Sequence, residues 1–128
     1  MKDQKRIEKI TFLLIAITLF SNHASSANKD DRYTVIGNGN QSCGKFTAAA
    51  NEGTYQKNWK QWNEYHTYMQ GYLTGLNQYL PDNKNILGGT DQDGAMAYLE
   101  KYCRDNPLSS YMDALDSLAT ELYPKRSK

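Results

Sequence analysis

QKNWKQWNEYHTYMQGYLTGLNQYL, residues 56–80, is the stretch on which the fold turns. Its apolar and aromatic residues fall at Trp59, Trp62, Tyr65, Met69, Tyr72, Leu73, Leu76 and Leu80, mostly in steps of three or four. That spacing lays one apolar stripe along a 3.6-residue period and predicts a long helix from Gln56 to Leu80. Lys57, Lys60, Gln61, Glu64, Thr67, Gln70, Thr74 and Asn77 supply the opposite, polar face. Gly71 and Gly75 lie inside the pattern, where each costs about 1 kcal/mol against Ala. Four residues apart, they share one side of the helix and predict close packing of another helix there, with a local kink as the alternative. Pro81-Asp82-Asn83 ends the element.

Further helices flank this one. Upstream, Ser42 is a candidate N-cap for a short helix over Cys43 to Asn51, ending near Gly53. Downstream, Asn83 to Thr90 is a loop containing Gly88-Gly89. Thr90-Asp91-Gln92-Asp93 then reads as a capped helix start with carboxylates in the first turn. Met96, Leu99, Tyr102 and Cys103 form the buried face of this third helix, and Arg104 lies in its last turn. Asn106-Pro107 predicts the opening of a fourth, with Asn106 as cap and Pro107 at the first helical position. Its core stripe is Leu108, Tyr111, Met112, Leu115, Leu118, Ala119 and Leu122, and Pro124 closes it. The expected fold class is all-α: a compact array of about four helices.

The first 27 residues read as a secretory signal. Lys2, Lys5, Arg6 and Lys9 precede an apolar run from Ile10 to Phe20, and Ser25-Ser26-Ala27 suits cleavage after Ala27, with Ala24 as the alternative. Eleven residues rise only about 16 Å as a helix, roughly half a hydrocarbon core, so no stable membrane anchor is expected after cleavage. The expected organisation is a signal peptide (1–27), a polar arm (28–41), a helical domain (42–124) and a basic tail (125–128). Within the arm, Tyr33 to Ile36 reads as a short extended segment. Lys125, Arg126 and Lys128 read as a solvated tail.

The chain holds 15 Lys and Arg against 14 Asp and Glu. Removing the leader's four basic and two acidic residues leaves 11 against 12, a formal charge of −1. That balance lacks the concentrated basic face that nucleic acid requires, so no nucleic-acid partner is expected. Two cysteines, Cys43 and Cys103, lie beyond the leader. In an exported chain they are expected to oxidise to each other. A redox pair would favour Cys-x-x-Cys, and zinc needs four convergent ligands. The chain has neither the motif nor, beyond the leader, a second histidine.

Constellations of chemical interest are few. Gly89 to Gly94, with Glu100 six residues on, resembles a calcium loop in which Asp91, Asp93 and Glu100 take ligand positions. The first ligand position would be Gly89 and the following residues look helical, so a capped helix start is the better reading. His66 has no nucleophile spaced to pair with it, and reads as a partly exposed helix histidine. The carboxylates are scattered. No catalytic residue, metal site or cofactor is predicted, and the chain is expected not to be an enzyme. Ten tyrosines and two tryptophans supply apolar area with polar handles. Trp59, Trp62, Tyr65 and Tyr68 are the candidate protein-binding residues; a cover over the core near the disulfide is the competing reading.

Ser42-Cys43-Gly44, Gly71-Tyr72-x-x-Gly75, Gly89-Thr90-Asp91-x-Asp93-Gly94 and Tyr98-Leu99-x-x-Tyr102-Cys103-x-x-Asn106-Pro107-Leu108, behind a signal peptide, resemble a group of small exported helical proteins of proteobacteria. In architecture the chain is similar, more distantly, to the HdeA/HdeB acid-stress chaperones. It is also similar to the helical periplasmic immunity proteins that neutralise amidase toxins of type VI secretion. These resemblances imply an HdeA-like fold, a periplasmic or secreted location, and a binding protein. Its partner would be an unfolded client or, alternatively, a specific hydrolase. The span between the cysteines and the aromatic long helix depart from the acid chaperones.

Overall fold

Cys43 and Gly44 begin a helix whose first backbone donors need partners, and a distant turn supplies them. In the computed structural model, which describes residues 33–54 and 59–128, Cys43 N–H donates to Ser109 O (2.8 Å) and Gly44 N–H to Pro107 O (3.1 Å). Ser42 Oγ accepts from Lys45 N–H (3.3 Å), as an N-cap does. Four helices follow one another: α1 (Cys43–Thr54), α2 (Trp59–Tyr79), α3 (Gln92–Asp105) and α4 (Tyr111–Leu122). Short 3-10 turns, Gly37–Asn40 and Tyr123–Lys125, precede and follow them. The predicted all-α class is therefore observed, and no strand occurs among the described residues. The leader lies outside the described residues. No described helix is long and apolar enough to cross a membrane.

The Cys43–Cys103 disulfide is formed, joining the first residue of α1 to the last turn of α3 with the Cα atoms 4.7 Å apart. Both cysteines are fully buried. A disulfide of this kind belongs to an oxidising compartment. The core around it combines Phe46 and Ala49 of α1, Tyr65, Met69 and Leu73 of α2, Leu99 of α3, and Tyr111, Leu115 and Leu118 of α4. Ile86 from the α2–α3 loop completes it, fully buried. Asn77 Oδ1 holds that loop inward by accepting from Ile86 N–H (2.7 Å), while Asn83 Nδ2 donates to Leu76 O (3.0 Å).

Several sequence expectations are corrected. The fourth helix starts at Tyr111 rather than at Pro107. Asn106 instead ends α3, its backbone N–H donating to Tyr102 O. Ser110 caps α4 through a reciprocal box with Asp113. Helical geometry over 107–110 would withdraw the carbonyls that α1 uses, and the Ser110 box satisfies the α4 terminus without them. Leu108, expected in the core stripe, is 97% exposed on this turn. Gly71 and Gly75 admit no close-packed helix: a Cβ at either meets no heavy atom within 4 Å. Among the described residues, no packing contact offsets their cost to α2.

Residues Thr34–Lys128 form one compact unit, so the folded region extends beyond the predicted 42–124 at both ends. Gly39 is buried beneath Tyr68, where a Cβ would strike the phenol oxygen, and Gln41 O accepts from Tyr111 N–H (2.8 Å). The C-terminal residues are a strap rather than a solvated tail. Ser127 pairs with Asn85 in an antiparallel bridge. Arg126 Nε donates to Asp82 O (3.1 Å), and its guanidinium lies 3.8 Å from the Tyr123 ring centroid.

Candidate protein-binding site

The four aromatic residues singled out on α2 separate into two groups, because a helix turns 100° per residue. Tyr65, Met69 and Leu73 recur every four residues and face the core. Trp59, Trp62 and His66, in steps of three and four, run along one border of that face. Trp62 packs half-buried against the core, whereas Trp59 is 63% exposed. The rings stack in series. Trp59 and Trp62 have centroids 5.4 Å apart and planes 24° apart; Trp62 and His66 are 5.1 Å apart and nearly parallel at 9°. The outcome is a three-ring ladder, anchored at Trp62 and ending in an indole open to solvent.

Tyr65 is withdrawn from the candidate set. It is 1% exposed, so its ring cannot reach a partner without unfolding. It packs on Phe46 (5.1 Å) and edge-on to Tyr111 (4.9 Å, 73°), and its backbone carbonyl accepts from Tyr111 Oη (3.2 Å). Tyr68 joins the same inner cluster, 6.3 Å from the Tyr111 ring, with one side still accessible. His66, expected as a partly exposed helix histidine, is half-buried and closes the ladder on Trp62. Its spacing of four from Trp62 and seven from Trp59 was the signal for a shared ladder.

Burial sets the electrostatics of the inner cluster. It pushes the Tyr111 phenol far above its ordinary value, with Tyr65, Glu100 and Tyr68 adding smaller repulsions. Burial raises Tyr65 too, and Glu64 adds to it. The neutral phenols are thus favoured by the fold. The stability they contribute is complete below the unfolded phenol pKa of about 10 and is lost as pH rises toward the folded values. Urea midpoints are expected to fall above about pH 10, and absorbance at 295 nm should show these two phenols ionising only as the fold opens. Ionisation of all ten tyrosines near pH 10 with the circular dichroism unchanged would contradict this burial account.

The acidic stretch at the start of α3 behaves as a cap. Asp91 Oδ1 accepts from Gly94 N–H (2.8 Å), and Glu100 faces Arg104 at 3.6 Å. No group of three or more His, Cys, Asp or Glu among the described residues could hold a metal ion. The fold and site thus define an all-α domain, closed by one disulfide, with an aromatic ladder at the start of its longest helix. No family model, curated protein or solved structure matches the chain.

Proposed function

We propose that the chain is an exported, periplasmic, non-enzymatic domain that binds another protein through the Trp59–Trp62–His66 ladder. The observation that carries this reading is the exposure of Trp59 on a preformed stack. An indole already held by its neighbours loses little rotamer freedom on binding, and tryptophan is enriched among the residues that dominate interface energies. This favours an immunity or inhibitor mode: one tight partner at neutral pH, such as a cell-wall amidase toxin. In a pull-down from periplasmic extract at pH 7, the wild-type domain is expected to retain a stoichiometric partner. Trp59→Ala should weaken that complex by about thirtyfold, the equivalent of roughly 2 kcal/mol. Capture that is indifferent to Trp59→Ala, or no stoichiometric partner, defeats the reading.

A specific observation also favours the acid-stress chaperone mode. Carboxylates cap both α3 and α4, through Asp91 and Asp113, and Asp116 accepts from Tyr72 Oη (2.7 Å) across α2 and α4. In strong acid, loss of carboxylate charge across the chain leaves it strongly positive. Self-repulsion would then loosen the helices while the disulfide tethers the chain. Suppression of client aggregation near pH 2–3 by the purified domain supports that mode; a chain that stays folded and inert there excludes it.

A further inference from the structure

Away from the ladder, a cleft of about 540 Å³ opens between the first half of α3 and the second half of α4. The 87–90 turn and the C-terminal strap form its remaining walls. Its volume lies within the roughly 300–1,000 Å³ of small-molecule sites. The clefts of about 310 and 260 Å³ elsewhere are edged by amide and charged groups such as Gln70 and Gln92, or Lys101 and Asp105. The larger cleft is lined mainly by Leu87, Ala95, Leu118, Leu122 and the ring of Tyr98.

Its polar groups narrow the choice of ligand. The charged residues lining it are Glu121 and Lys125, and these two are paired with each other. An ionic ligand would find no uncompensated counter-charge there and would forfeit part of its hydration. Tyr98 Oη shares a 2.8 Å hydrogen bond with Ser117 Oγ. Of the two, only Tyr98 lines the cleft, and whichever hydroxyl donates, Tyr98 Oη keeps either its O–H or a lone pair for a further hydroxyl. The walls are held in place by packing: at Gly88 a Cβ would strike Lys125 O of the strap.

We propose that this cleft binds an uncharged, mainly apolar small molecule bearing a hydroxyl group. Its body lies against Leu87, Leu118 and Leu122, and its hydroxyl meets that of Tyr98, whose Ser117 partner stands outside the lining. Octan-1-ol is the probe, added to the ¹⁵N-labelled full domain with its disulfide intact. Saturable shifts are expected at the amides of Gly89, Thr90, Gly94, Ala95, Leu118 and Leu122. Octanoate and octyltrimethylammonium, of equal chain length, should bind at least about tenfold more weakly, since either must bring a bare charge into the cleft. Tyr98→Phe, with its spectrum confirming the fold, should weaken octan-1-ol about fivefold through one lost hydrogen bond. Absence of saturable shifts at these amides overturns the site. Equal binding of an ionic probe overturns the assignment of an uncharged ligand, and an indifferent Tyr98→Phe overturns the hydroxyl contact. None of these results bears on the ladder, so the two proposals fail separately.

Discussion

Removing the disulfide is expected to destabilise the domain by about 4 kcal/mol, a large share of the roughly 5–15 kcal/mol that holds a small fold. The link spans 60 residues, and in the chain-entropy model a loop of that length restricts the unfolded ensemble by this amount. The junction it closes has its own hydrogen bonds, from Cys43 to Ser109, Gly44 to Pro107 and Tyr111 to Gln41. The cross-link therefore locks a junction that the backbone already recognises. The measurement compares wild type with Cys43→Ala/Cys103→Ala by urea and thermal unfolding; paired alanines avoid leaving a buried hydroxyl. A fall of roughly 15–30 °C in Tm corresponds to the expected loss for a domain of this size. Because both cysteines are buried, reduction of the native protein by a small thiol should be slower than that of an exposed disulfide, scaled down by the fraction of molecules open. A loss below about 1 kcal/mol would contradict the tether role that the chain-entropy model assigns.

That junction also marks the boundary of what the sequence could reveal. The four helices were legible because each combines apolar spacing of three or four with a local stop or start, such as Asp91 before α3 or Pro81 after α2. The disulfide was legible because a chain with two cysteines has one possible intramolecular pairing. The start of α4 was not. Asn106-Pro107 and Ser110-x-x-Asp113 are both good start signals, four residues apart. The choice between them rests on α1 claiming the carbonyls of Pro107 and Ser109, a contact spanning more than sixty residues. Ile86 was hidden for a related reason. It stands in a loop without periodicity, held by the Asn77 side chain that accepts from its N–H and by the Asn85–Ser127 bridge beside it. In the candidate site, Trp59 and Tyr65 belong to one stripe in the sequence. Their depths differ because α1 and α4 cover the Tyr65 side of α2, through Phe46 and Tyr111, and leave Trp59 open.

Phe46→Ala is expected to cost about 3–5 kcal/mol, and Leu108→Ala less than about 0.5. Sequence periodicity placed Leu108 in the core stripe and did not single out Phe46, so the pair separates pattern from packing. Phe46 is fully buried, with its ring 4.7 Å from Tyr111 and 5.1 Å from Tyr65. It thus joins α1, α2 and α4 at one point. Deleting it removes the apolar transfer energy of a whole ring and leaves a cavity that those two tyrosines cannot fill without breaking the Tyr111 hydrogen bond to the Tyr65 carbonyl. Collapse into the gap would expose the phenols and show as a red shift lost from the tyrosine near-ultraviolet spectrum. Leu108 sits in solvent on the α3–α4 turn, and its truncation removes almost no buried area. Urea midpoints at neutral pH with the disulfide intact make the comparison. Equal losses from the two variants would mean that the exposed turn carries packing absent from this fold. A small loss at Phe46 would mean that the aromatic cluster does not hold the three helices together.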